Sequence, residues 1–135
     1  MFDTKIALVL REGLASWQGL NVTAFLTSGI IGQTPELIGD PYVDREGNSY
    51  HPLLRQPIIV LSANADTLAK IHKRSLDRGV TSALYIEEMF QTGHDAANRQ
   101  VFSHYGPEDA KIVGIALRDD RKLVDKITKG ARMHE

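Results

Sequence analysis

The chain has 135 residues, 42% of them hydrophobic and 24% charged, and a formal net charge of −1. That balance suits one folded domain and excludes a disordered chain. Cysteine is absent, which excludes disulfides, thiolate nucleophiles and cysteine-held zinc.

Lys5–Leu10 is an unbroken apolar run and reads as a buried strand. Arg11–Ser16 is a loop around Gly13, with Ser16 as the expected helix cap. The spacing of Trp17, Leu20, Ala24 and Ile31, with Phe25 beside them, predicts a helix over 17–31 with these residues inward. Residues 33–52 carry Pro35, Gly39, Pro41, Gly47 and Pro52, and read as irregular chain. Within it, Tyr42–Asp44 and Ser49–His51 suggest a small hairpin whose tyrosines and Val43 want burial.

Pro57–Ala63 is the second strand. A helix over 65–78 follows, capped by Asn64 or Asp66, with Leu68, Ile71 and Leu76 inward and Gly79 as its stop. Val80–Ile86 is the third strand, and 91–105 is expected to be helical in part. Lys111–Arg118 is the fourth strand. A last helix, capped by Asp119, runs to Lys129, with Leu123, Val124 and Ile127 inward. Alternating strands and helices predict one three-layer α/β/α domain on a four-stranded mixed, largely parallel sheet. The short segment between strands three and four allows one strand to run antiparallel.

No apolar run reaches the ~18 residues of a membrane span. No basic stretch followed by an apolar run reads as a secretory signal, so no membrane partner and a cytoplasmic location are expected. Charge is uneven. Residues 110–135 hold seven Lys/Arg against four Asp/Glu, the reverse of residues 1–69 with four against seven. A basic segment attracts phosphate, but it lacks the interleaved aromatics that stack bases.

Ligands of open α/β sheets bind beyond the carboxyl ends of the strands. Strand one delivers Arg11 and Glu12 there, strand two Ser62 and Asn64, strand three Glu87 and Glu88. Arg11, Glu12, Glu87 and Asn64 are therefore expected to share a rim. Glu87 is the candidate general base and Arg11 its partner; an ion pair tying two strands together is the plainer reading. His51, His94 and His104 match no metal-ligand spacing, so neither a metal nor another cofactor is expected. No Walker loop, GxSxG or SxxK motif is present. Trp17 at the start of its helix reads as packing rather than as a ligand platform.

The opening KIALVLREGLASWQGLNVTAFLTSG resembles the first strand, loop and helix of the type 2 peptidyl-tRNA hydrolases, the archaeal and eukaryotic kind. TSALYIEEMFQTG and AKIVGIALRDD fall where that family has its later strands. The middle, IGDPYVDREGNSYHP followed by PIIVLSA, is similar to a bacterial family labelled domain of unknown function 2000, itself similar in fold to the hydrolases. The resemblance covers most of the chain and implies a hydrolase-like α/β fold. It implies that Arg11 and Glu87 are catalytic, since Arg11 matches an arginine of the hydrolases and Glu87 stands where they carry an aspartate. It places Gln91 or Thr92 at the position of a threonine. Around the hydrolase lysine stand Gln18, Gly19 and Leu20, and Ala24 and Thr27 replace a glutamine and a histidine.

Two functions follow as expectations. One is hydrolysis of an ester or amide through Glu87 and Arg11, with Glu12, Asn64, Gln91 and Thr92 binding a small-molecule or acylated substrate. The other is a non-catalytic dimeric binding or regulatory module that kept the fold and lost the chemistry. A homodimer is expected from the apolar loop at 33–52, and tRNA enters only through the resemblance.

Overall fold

The computed structural model describes residues 2–135. Its central strand is β1 (Thr4–Arg11), in which Ile6 to Leu10 are all buried, as an unbroken aliphatic run requires. Helix α1 (Ser16–Gln33) follows, then two-residue strands β2 (Tyr42–Val43) and β3 (Ser49–Tyr50). Next come β4 (Ile58–Ala63), α2 (Ala65–Asp77) and β5 (Ala83–Ile86). A 3-10 turn over Glu87–Gln91 leads to α3 (Asp95–Phe102). The chain closes with β6 (Ile112–Asp120), α4 (Arg121–Ile127) and β7 (Arg132–Met133). No helix among the described residues is long and apolar enough to cross a membrane.

The main sheet has five strands in the order β5-β6-β1-β4-β7, not four. Only β1 and β4 pair in parallel; β1–β6, β5–β6 and β4–β7 are antiparallel. The expectation of a largely parallel sheet is therefore corrected. The cause lies in the connections. The chain leaves β5 through a 3-10 turn and the short α3, and returns beside β5 as its antiparallel neighbour β6. A parallel return would need a crossover over the sheet face. β7 is too short to show in a hydrophobic pattern and exists through its pairing with β4.

Helix α1 covers one face of the sheet; α2 and α4 pack on the other. Side chains alternate along β1, so Ile6, Leu8 and Leu10 join the α1 core and Val9 joins the other. In β6 the alternation breaks at a bulge, where Tyr85 pairs with Gly114 but Ile86 pairs with Ile112. Gly114 thereby faces α1, and a Cβ built there would stand 2.6 Å from Val22 Cγ1. The missing side chain lets α1 lie close to the sheet.

The inward face of α1 differs from the expected one. Val22, Leu26 and Ile30 are buried, while Trp17, Leu20 and Phe25 are exposed. This helix is apolar around most of its circumference, so spacing alone selects no face. Its cap also differs: Ser16 is the first helical residue, and Gln18 Oε1 accepts the Ala15 N–H at 3.0 Å. In α2 the buried positions are Leu68, Ile71, His72 and Ser75, a complete i, i+3, i+4, i+7 stripe; Leu76 lies outside it and is exposed. Two polar members hid that stripe. Helix α4 buries Val124 and Ile127 and half-buries Leu123, but its cap is Asp120, whose carboxylate accepts from Lys122 N and Leu123 N.

β2 and β3 form the expected hairpin. Asp44 organises it, accepting from Glu46 N, Asn48 N, Asn48 Nδ2 and Tyr50 Oη, while Gly47 takes φ +87°. These bonds hold the Asp44 carboxyl below the usual carboxylate range, chiefly through the Asn48 side chain and then Tyr50. Tyr42, Val43 and Tyr50 are exposed rather than buried, because the hairpin stands off the sheet on its own hydrogen bonds.

Candidate functional site

Strands β1, β4 and β5 run in one direction, so their carboxyl ends share a rim. At that rim the Arg11 Nη2 lies 3.3 Å from Glu87 Oε1. Both side chains keep access to solvent, and together they tie the end of β1 to the end of β5. Glu12 donates its N–H to Ala63 O at 2.9 Å, and its Oε1 meets Arg132 Nη2 at 2.7 Å. Of the six expected residues, Arg11 and Glu87 are in contact, and Glu12 stands at the same rim but pairs with Arg132.

Asn64 follows β4 at the same rim, whereas Gln91 and Thr92 lie at and beyond the end of the 3-10 turn. Asn64 caps α2, with Oδ1 accepting from Thr67 N at 2.8 Å, so its carboxamide is committed to the helix. Gln91 is exposed at the end of the 3-10 turn. The Thr92 hydroxyl donates to Met89 O at 2.9 Å and lies against the Asn98 carboxamide, lining a second cleft on the far flank of α1.

Beside the Arg11 rim lies a cleft of about 590 Å³. Its walls are the loop after β1, the first turns of α1, and the α1-side face of β4 and β7. Gly13, at φ +84°, turns the chain from the end of β1 toward α1. The cleft exists because α1 lies over β1, β5 and β6 and leaves β4 and β7 uncovered.

Inside it, Ser62 Oγ and His134 Nδ1 are 2.5 Å apart. The contact follows from strand register. Ser62 pairs with Arg132, and His134 N donates to Val60 O at 3.1 Å, so Ser62 and His134 are diagonal neighbours on one face. The turn into β7 is held in place by Arg74 of α2, whose Nη1 donates to Ile127 O at 3.1 Å and Lys129 O at 2.7 Å. Gly130 completes that turn at φ +101°. A hydroxyl bonded to an imidazole is the pairing that generates a serine nucleophile. Two guanidinium groups, Arg11 and Arg132, border the same cleft and can receive an anion. Ser62 is recognisable in the sequence as a strand-end hydroxyl. His134 is not, since its partnership depends on a strand two residues long.

The remaining histidines stand apart. His51 and His104 are exposed, and His94 caps α3, its Nδ1 accepting from Ala97 N at 3.2 Å. Among the described residues no three His, Asp or Glu side chains are grouped to hold a metal ion.

The family described as "Protein of unknown function (DUF2000)" matches residues 4–135. The chain belongs to this family. A solved structure, the protein of unknown function Atu0240 from Agrobacterium tumefaciens strain C58, is 66% identical over the whole of both chains, with a TM-score of 0.99. At that likeness the two proteins share one fold. No curated protein matches the chain.

Proposed function

We propose that the cleft at the end of β1 and β4 hydrolyses a carboxylic ester or amide on a substrate that carries an anionic group. The observation behind this reading is the Ser62–His134 contact inside a cleft edged by Arg11 and Arg132. His134 Nδ1 takes the proton of Ser62 as Oγ attacks the carbonyl carbon. The carbon–oxygen or carbon–nitrogen bond to the leaving group breaks, and His134 returns the proton to that group. Water, activated by the same imidazole, then cleaves the acyl-serine and restores the hydroxyl. Arg11 binds the anionic group of the substrate. Glu87, already engaged by Arg11, acts here as a positioning residue, and Glu12 does the same for Arg132.

An acylated substrate fits the likeness of the opening segment to type 2 peptidyl-tRNA hydrolases, and an N-blocked aminoacyl-tRNA is its largest candidate. The exposed hairpin and Leu53 present an apolar surface suited to a second copy, and sedimentation at micromolar concentration tests that pairing. The two preformed ion pairs, Arg11–Glu87 and Arg132–Glu12, favour the alternative of a non-catalytic binding module, because each arginine is already partly neutralised.

The test combines a fluorophosphonate probe with a panel of small esters and N-blocked aminoacyl-tRNA. The proposal expects covalent labelling mapped to Ser62. It also expects a loss of ~100-fold or more in turnover for Ser62→Ala and His134→Gln, the usual weight of a general base. Arg11→Ala and Glu87→Gln should raise KM more than they lower kcat. Turnover that survives Ser62→Ala overturns the mechanism. No turnover and no labelling, with a ligand raising the melting temperature, establishes the binding module instead.

A further inference from the structure

A second cleft, of about 670 Å³, opens on the other flank of α1, between that helix, β5, the 3-10 turn and α3. Aromatic rings line it in a continuous chain. Trp17 meets Phe90 edge-on at 5.8 Å, Phe90 lies 5.1 Å from Tyr85, and Tyr85 lies 6.1 Å from Phe25. Trp17 and Phe25 are 60% and 55% exposed, so much of their surface faces open cleft rather than core.

The polar lining limits what can enter. Asp95 and Arg99 neutralise each other at 2.8 Å. His94 Nδ1 accepts the Ala97 N–H, so that nitrogen is committed to the cap of α3. A cage for a cation needs an uncompensated carboxylate or an electron-rich box without competing cations; here the charges cancel. Two carboxamides also line the cleft, Asn21 and Asn98. The Thr92 hydroxyl occupies one end of the Asn98 carboxamide, which leaves the other end for a ring edge. Stacking faces beside carboxamide donors and acceptors are what a flat ring with hydrogen-bonding edges requires. The volume lies in the range of small-molecule sites and accommodates a bicyclic ring with a substituent.

We propose that this cleft binds a neutral planar heteroaromatic ring of purine size, stacked on the exposed face of Trp17, with Phe90 meeting it at a steep angle and Asn98 and Asn21 holding its edge. The site is separate from the Ser62–His134 cleft and does not depend on the hydrolase reading.

Trp17 is the only tryptophan, so its emission reports on this cleft alone. The experiment titrates the full chain with adenosine, guanosine and uridine, with choline as the cationic control. Saturable change in Trp17 emission is expected with the purine nucleosides and not with choline. Asn98→Ala and Phe90→Leu should each weaken binding about tenfold, a loss typical of one aromatic or hydrogen-bonding partner. Thermal melts establish that both variants are folded, and Ser62→Ala should bind as wild type does. Three results overturn the proposal: no saturable change with any nucleoside at millimolar concentration, an equal response to choline, or binding indifferent to both variants. Emission that shifts with protein concentration and blocks nucleoside binding would assign the cleft to a second copy and likewise overturn it.

Discussion

On one face of the sheet, α2 and α4 seal the core, and Val9, Ile71, Ile115, Leu117 and Ile127 lose all contact with water. On the other, α1 covers β1, β5 and β6, while β4 is only half-covered and Leu20 and Met133 remain exposed. The first arrangement maximises buried apolar area. The second gives up part of that area and leaves two clefts, one on each flank of α1. Stability and candidate chemistry are thus divided between the faces of a single sheet.

The largest effect should come from the sealed face. Ile115→Ala deletes a fully buried side chain, and chemical denaturation should show a loss of about 2–5 kcal/mol. Gly114→Ala attacks the contact that seats α1. The new Cβ would collide with Val22 and Leu26, and a loss of about 1–3 kcal/mol is expected, with α1 displaced and both clefts altered. If Gly114→Ala changed neither stability nor Trp17 emission, the close seating of α1 would not define the clefts.

His72 sharpens the comparison through pH. It is buried on α2 beside the sealed core, and burial lowers its pKa. The imidazole is therefore neutral when folded but protonates more readily when unfolded, below about pH 6.5. The unfolded state then binds more protons, so stability falls as pH drops through that range and is regained as pH rises. His72→Leu should flatten this dependence in melts taken from pH 7 to 5. An unchanged slope would remove His72 as its source. The smallest effect belongs to the open face: Leu20→Ser should change stability by no more than about 0.5 kcal/mol, because Leu20 gives up little water contact on folding.

Much of this division was legible in the residues. The strand cores, the stop at Gly79 and the convergence of Arg11, Glu12 and Glu87 follow from apolar runs, glycine conformation and the rule that strand ends share a rim. Other features misled. Trp17, Leu20 and Phe25 read as an inner stripe because α1 has apolar residues on most sides, and Asn64 read equally as a cap and as a ligand. Ser62 was visible and its partner was not, since His134 reaches it only through the β4–β7 pairing, 72 residues away along the chain.

The sequence by itself determined the α/β class, the strand interiors and the absence of thiol chemistry, because local periodicity and composition are properties of neighbouring residues. Tertiary structure decided the strand order, which face of α1 turns inward and which side chains meet. Those outcomes depend on pairings between distant segments, on Gly114 admitting α1, and on a two-residue strand that forms only against its partner.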